Sequence, residues 1–114
     1  MSKELFTGGN KKQFEEWYYI NEDLELSLLE FYKLDFRLQL GVILAYYDSL
    51  GLIVQVDVFD SEDEYYWGIL ERDIMSPFFK SAECDLLELP KTRNEAYLSA
   101  FKEADRIRNK TKKN

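Results

Sequence analysis

The chain has 114 residues, a formal net charge of −7, no histidine and a single cysteine, Cys84. Hydrophobic residues make up 46% of the sequence and aromatic residues 16%, which predicts one folded domain and argues against intrinsic disorder. The lack of histidine excludes Ser-His and Cys-His catalysis and histidine-ligated metal centres, and one cysteine excludes an intramolecular disulfide.

The distribution of charge and apolar residues predicts where the protein is found and what it binds. The polar start lacks the apolar segment of a signal peptide, and no apolar run approaches the roughly 18 residues of a membrane span. We therefore expect a cytoplasmic protein with no membrane contact. Residues 1–90 carry a net charge of −12 and residues 91–114 a net charge of +5. Because an acidic body repels nucleic-acid phosphates, we expect no direct nucleic-acid binding and favour a basic protein partner.

The first third of the sequence predicts an arm and two helical segments. Residues 1–10 are predicted to be a flexible arm, and Asn10 is predicted to cap a helix over residues 11–20. Leucines alternate with polar residues in the next segment, as in a strand. However, Ser27 and Glu30 have the spacing of a capping box, which favours one helical turn there.

One helix is predicted to lead directly into a strand. Asp35 can cap the first turn, an apolar stripe of helical period follows, and Gly51 suits the left-handed residue that ends a helix. Apolar and polar residues then alternate over 52–59, which predicts a strand with one apolar face. Gly41 lies inside the helix, where glycine costs about 1 kcal/mol relative to alanine, so we expect another backbone to pack closely against it.

Two more strands are predicted after an acidic loop. Residues 65–72 are predicted to form an aromatic strand. If Trp67 and Ile69 face the core, alternation places Tyr66 on the outer face together with Asp57. A proline interrupts the pattern, and residues 78–84 then predict a less regular third strand.

The last element predicted is a helix. Thr92 and Glu95 form a capping box ahead of a stripe of alanine and aromatic side chains. A basic tail is predicted over residues 108–114. The predicted fold is therefore an α+β domain over residues 11–107, with an antiparallel sheet of two to three strands packed by N-terminal, central and C-terminal helices in the order α-α-β-β-(β)-α.

The acidic and aromatic side chains of the predicted hairpin are the candidate binding surface. Such a surface attracts a basic protein through its charge and gains affinity from buried tyrosine rings. The candidate partner-binding residues are Asp57, Asp60, Glu62, Asp63, Glu64 and Tyr66. We expect no catalytic residue and no cofactor. Two alternatives remain open: the exposed aromatic residues form a homo-oligomer interface, or the acidic loop holds a divalent ion in a small metal-dependent enzyme or binder.

Two segments resemble small uncharacterised proteins of bacteriophages and bacterial mobile elements. The residues that carry the resemblance are Phe31-Tyr32-Lys33-Leu34, Gln39, Gly41-Val42, Tyr47-Asp48-Ser49-Leu50-Gly51, Thr92-Arg93-Asn94-Glu95-Ala96, Ala100-Phe101 and Ala104. The resemblance implies an accessory protein of phage or mobile-element type and implies no catalytic residue. With the acidic surface, it leads to the hypothesis of an inhibitor that binds a basic host protein.

Overall fold

Four helices and three strands occur in the part of the chain that the computed structural model describes, residues 5–21, 26–58, 64–72 and 79–112. The helices are α1 (Gly8–Ile20), α2 (Leu28–Tyr32), α3 (Phe36–Ser49) and α4 (Arg93–Lys112). The strands are β1 (Leu52–Val58), β2 (Tyr65–Glu71) and β3 (Phe79–Glu83). The α+β class and the antiparallel sheet are confirmed, and the third strand is present.

The sheet has the order β1-β2-β3, and its apolar face forms the centre of the core. Val54 pairs with Ile69 and Val56 pairs with Trp67, and all four side chains are buried. They share one hydrophobic cluster with side chains from α3 and α4, so both helices cover this face. The predicted assignment of faces is confirmed. Val58, at the end of the same row, is 53% exposed, so the core ends one pair earlier.

The direct passage from helix to strand is also confirmed. Asp35 accepts a hydrogen bond from the Arg37 backbone N–H at 3.3 Å, and Gly51 has a φ of 81°, in the left-handed region that favours glycine. The explanation predicted for Gly41 is wrong. Gly41 is exposed, and a Cβ atom placed on it would meet no neighbouring atom within 4 Å. A low helix propensity therefore did not indicate a close contact at this position.

Helices α2 and α4 both begin at a predicted capping box, but only α2 has both of its expected hydrogen bonds. At α2 both hydrogen bonds of the capping box between Ser27 and Glu30 are present. At α4 the Thr92 hydroxyl accepts from the Glu95 backbone N–H at 3.1 Å, as predicted. The Glu95 carboxylate accepts from the backbone N–H of Lys91, one residue before the expected position. Both helices therefore have a side-chain cap for their unpaired N–H groups.

Residues 5–10 lie within the fold, whereas the prediction placed them in a flexible arm. Phe6 is 4% exposed, and its ring stacks on that of Phe14 with centroids 4.0 Å apart. Helix α1 begins at Gly8, three residues before the predicted start. A single phenylalanine in a polar segment has no periodic pattern, so the sequence did not reveal this anchor. Residues 1–4 lie outside the described residues.

Asn10 does not cap α1, which corrects the predicted start of that helix. Its side chain is fully buried. Its Nδ2 donates to Tyr47 Oη at 3.0 Å and to Asp105 Oδ1 at 2.8 Å, and Tyr46 Oη donates to its Oδ1 at 2.6 Å. Thr7 completes the group, because its N–H and its hydroxyl both donate to the Asp105 carboxylate. We call these five residues the Asn10 cluster. It joins α1, α3 and α4 through buried hydrogen bonds.

Helix α4 continues to Lys112, through most of the predicted basic tail. Arg108 donates to Gln13 Oε1 at 2.8 Å, and Asn109 Oδ1 accepts from the backbone N–H of Asn10 at 3.0 Å. Both contacts reach α1, so this end of α4 packs on the rest of the domain. Residues 113 and 114 lie outside the described residues.

Candidate functional site on the outer face of the sheet

The second side of the sheet carries polar and aromatic side chains and lies opposite α3 and α4. We call this surface the outer face. Strand register places on it Ile53, Gln55, Asp57, Tyr66, Gly68, Leu70 and Glu83. Gln55 and Asp57 are exposed, while Tyr66 is partly buried. An antiparallel sheet with one covered and one solvated side gives this division between its two faces.

Tyr66 lies on the outer face near the hairpin end of β2, the central strand, and is held in a defined position. Its cross-strand partner on β1 is Asp57, which was predicted to lie on the same face. Its hydroxyl donates to Glu83 Oε1 on β3 at 2.6 Å. Gly68 lies beneath the ring, since a Cβ atom placed there would be 3.4 Å from Tyr66 Cε1. The ring therefore lies along β2 over the bare backbone of a glycine, with one carboxylate on each neighbouring strand.

This arrangement suits a cationic group. Neighbouring strands are about 4.8 Å apart, and Glu83 pairs with Gly68, two residues along β2 from the partner of Asp57, so the backbones that carry Asp57 and Glu83 are separated by about 12 Å. A guanidinium or ammonium group above the Tyr66 ring would be attracted by the exposed Asp57 carboxylate and by the ring itself. Arginine fits best in principle, because its planar group stacks on a ring and donates to a carboxylate at the same time.

Of the remaining predicted site residues, the structure describes only Glu64. Glu64 lies 3.7 Å from the ammonium of Lys91, so a neighbouring cation offsets its charge. Asp60, Glu62 and Asp63 lie outside the described residues. The structure thus brings two of the six predicted residues together, directs a third towards a lysine, and leaves three undescribed.

Glu83 is the site residue that sequence analysis did not select. Alternation over 78–84 does place it on the face opposite Cys84. Its partner on β2 depends on register, however, and the pairing of β2 with β3 shifts between Ile69 and Leu70. An irregularity of this kind has no clear pattern in the sequence, so the contact with Tyr66 could not be deduced.

The described residues contain neither a metal-binding cluster nor a helix that could span a membrane. No group of three or more Cys, Asp or Glu side chains in the described ranges is close enough to hold a metal ion. Cys84 is buried. No helix within those ranges combines the length and the apolar character needed to cross a membrane.

No protein-family model matches this sequence, and neither a curated protein nor a solved structure matches the chain.

Proposed function

We propose that this protein is a non-enzymatic binding protein whose outer face docks on a basic protein. The observation that carries the proposal is the Tyr66 ring, which is held over Gly68 by its hydrogen bond to Glu83 and flanked by Asp57. A ring that is already ordered loses little conformational freedom on binding, and tyrosine is frequent among the residues that dominate interface energies.

Charge supports the same partner. Residues 1–90 carry a net charge of −12, which accelerates the encounter with a basic surface and opposes the encounter with nucleic acid. The resemblance to phage and mobile-element proteins supplies the setting of the proposal: a cytoplasmic accessory protein that inhibits a basic host protein by covering its charged site.

The test compares two variants that have the same net charge. The first, Asp57→Lys with Glu83→Lys, reverses both carboxylates of the outer face. The matched control, Glu16→Lys with Asp48→Lys, reverses two exposed carboxylates on helices. Each protein is used to capture bacterial lysate proteins at low and high salt, and retained proteins are quantified by mass spectrometry.

We expect a basic protein that the wild type and the control retain at low salt, and that the outer-face variant does not retain. High salt should weaken this binding, since screening reduces attraction between exposed charges. Equal losses in both variants would show that net charge alone is responsible, and would contradict a specific role for the outer face.

One observation favours the alternative of self-association. Tyr19 and Ile20, consecutive at the end of α1, are 74% and 76% exposed, and Leu29 on α2 is 68% exposed. Exposed apolar side chains of this size are found at protein interfaces. Salt distinguishes the two functions, because screening should strengthen association between copies of charge −7 and weaken binding to a basic partner. Sedimentation of the wild type and Ile20→Lys measures the association between copies.

A further inference from the structure

A cleft of about 600 Å³ lies on the helical side of the molecule, between the start of α3, the segment before α4 and one side of α4. Its apolar lining is formed by Leu5, Tyr32, Leu34, Phe36, Pro90 and Leu98. Several of these side chains pack against the core on their other side. The cleft therefore has a firm apolar floor that remains accessible to a ligand.

The cleft is separate from the outer face. It contains no residue of the three strands. Helix α4 contributes to the sheet core through Ala96 and Ala100, whereas Glu95, Leu98 and Lys102 line the cleft. One helix thus packs on the sheet with one stripe and borders the cleft with another.

Two polar side chains of the cleft walls are held by bonds within the molecule. Gln39 Nε2 donates to the backbone carbonyl of Phe31 at 2.9 Å. The Tyr32 hydroxyl donates to the Glu15 carboxylate, also at 2.9 Å. Walls that are already fixed do not have to become ordered when a ligand enters, which favours binding.

The shape of the cleft indicates what kind of ligand fits. Its volume falls within the range of roughly 300–1,000 Å³ that is typical of ligand sites in proteins. Along α4 its residues recur at spacings of three, four and seven, at positions 95, 98, 99 and 102. This stripe spans two helical turns, about 10 Å, and is the kind of surface against which a second helix packs.

The charged side chains that line the cleft determine which kind of helix binds there more strongly. Glu88 and Glu95 are exposed carboxylates that line the cleft, and Lys102 is the cation among the lining residues. The whole chain carries a net charge of −7, including the +5 of residues 91–114 that form one wall, so a basic helix is attracted more strongly than an acidic one. A second copy of the chain would bring its own charge of −7 and is disfavoured.

We propose that this cleft binds the apolar face of a basic amphipathic helix from a protein partner, with leucine-sized side chains inserted between α3 and α4. The site stands independently of the outer face, so either proposal can fail without the other.

The proposal can be tested with three fluorescein-labelled synthetic peptides of about 14 residues, long enough to form a helix when bound. The first carries leucine on one face and lysine on the other. The second keeps the leucines and replaces each lysine by glutamate. The third has the composition of the first in an order without an apolar face. Fluorescence anisotropy measures their binding to the full chain, and we expect only the first to bind well.

Variants of the protein test whether the leucine–lysine peptide binds in the cleft. Ser99→Trp fills the cleft from the exposed side of α4 without a change in charge, and should weaken binding of the leucine–lysine peptide at least roughly tenfold. Ala45→Trp, at an exposed position of α3 outside the lining, is the matched control and should bind as the wild type does. Glu88→Gln should weaken binding roughly threefold, and Asp48→Asn controls for the lost charge.

Equal binding by the two tryptophan variants would overturn the proposal, and so would binding of the leucine–glutamate peptide with similar affinity. Circular dichroism checks that each variant is folded. If Ser99→Trp does not fold, Leu98→Gln makes the same test by placing an amide in the apolar wall. A comparison of Asp57→Lys with Asp48→Lys tests whether the cleft acts independently of the outer face. Both variants should bind the leucine–lysine peptide equally, because neither residue lines the cleft.

Discussion

The Asn10 cluster and the outer face both combine tyrosine with a carboxylate, but in opposite surroundings. Asp105 in the cluster is 8% exposed and accepts hydrogen bonds from Thr7 and Asn10. Asp57 on the outer face is exposed to solvent. A buried polar group needs internal partners, because loss of water without compensation costs about 1–3 kcal/mol per group. The cluster therefore holds three helices together, while Asp57 on the outer face remains exposed to solvent.

The largest effect should come from the centre of the cluster. Asn10→Leu would leave the Asp105 carboxylate and the hydroxyls of Tyr46 and Tyr47 without their shared partner. We expect it to lower the free energy of unfolding by about 3 kcal/mol. The matched change on the outer face, Gln55→Leu, should stay within about 0.5 kcal/mol of the wild type. Urea denaturation measures both values, and equal effects would end the distinction between the two regions.

A change of charge alone should give a smaller difference. Asp105→Asn places an amide N–H₂ against donors from Thr7 or Asn10, and we expect a loss of about 2 kcal/mol in unfolding free energy. Asp57→Asn should have almost no effect on stability. The same denaturation experiment compares them, and a stable Asp105→Asn protein would mean that the carboxylate is replaceable.

Alkaline pH should act on the cluster as well. Burial raises the pKa of the Tyr46 and Tyr47 phenols above the ordinary value near 10. Above about pH 10 the unfolded chain loses these protons while the folded protein keeps them, so stability falls as pH rises. Each phenol should contribute about 1.4 kcal/mol per pH unit. Unfolding free energies measured from about pH 9 to 11 should fall less steeply in Tyr47→Phe, and an unchanged slope would contradict this account.

The smallest effect on stability is expected on the outer face. Tyr66→Phe removes one exposed hydrogen bond to Glu83 and should change the unfolding free energy by about 0.5 kcal/mol or less. Because the ring then loses the bond that positions it, we expect partner binding to weaken roughly threefold. A titration of the partner identified by capture measures this change. A large loss of stability would instead assign Tyr66 a structural role.

The two regions also differ in how far the sequence predicts them. Strand alternation assigned Trp67 and Ile69 to the core and Tyr66 to the outer face correctly, because the side-chain period of two depends only on neighbouring residues. The pairing of Tyr66 with Asp57 was not predicted, because alternation gives the face of a residue and not the register of the strands. Glu83 was missed, since its position opposite Gly68 depends on an irregular register between β2 and β3.

The Asn10 cluster shows the opposite limit of sequence analysis. Locally, Asn10 has the composition of a helix cap, and that interpretation was wrong. Its actual partners lie 36 to 95 residues further along the chain. A local sequence pattern cannot show that Asn10 bonds to such distant side chains and not to a nearby backbone N–H. Asp105 was missed for the same reason, because a single aspartate on a basic helix is usually solvated.

The hydrogen bonds between α1 and α4 have a consequence for biosynthesis. Thr7 and Asn10 bond to Asp105 and Asn109, with separations of 95 to 102 residues. Helix α1 therefore leaves the ribosome long before its partners are made, and Asn10 must remain hydrated until residue 109 has emerged. Closing so long a loop is entropically costly and slow. The core of this domain consequently cannot be completed until residues 105 to 109 have left the ribosome, and until then its aromatic residues are open to contact with chaperones.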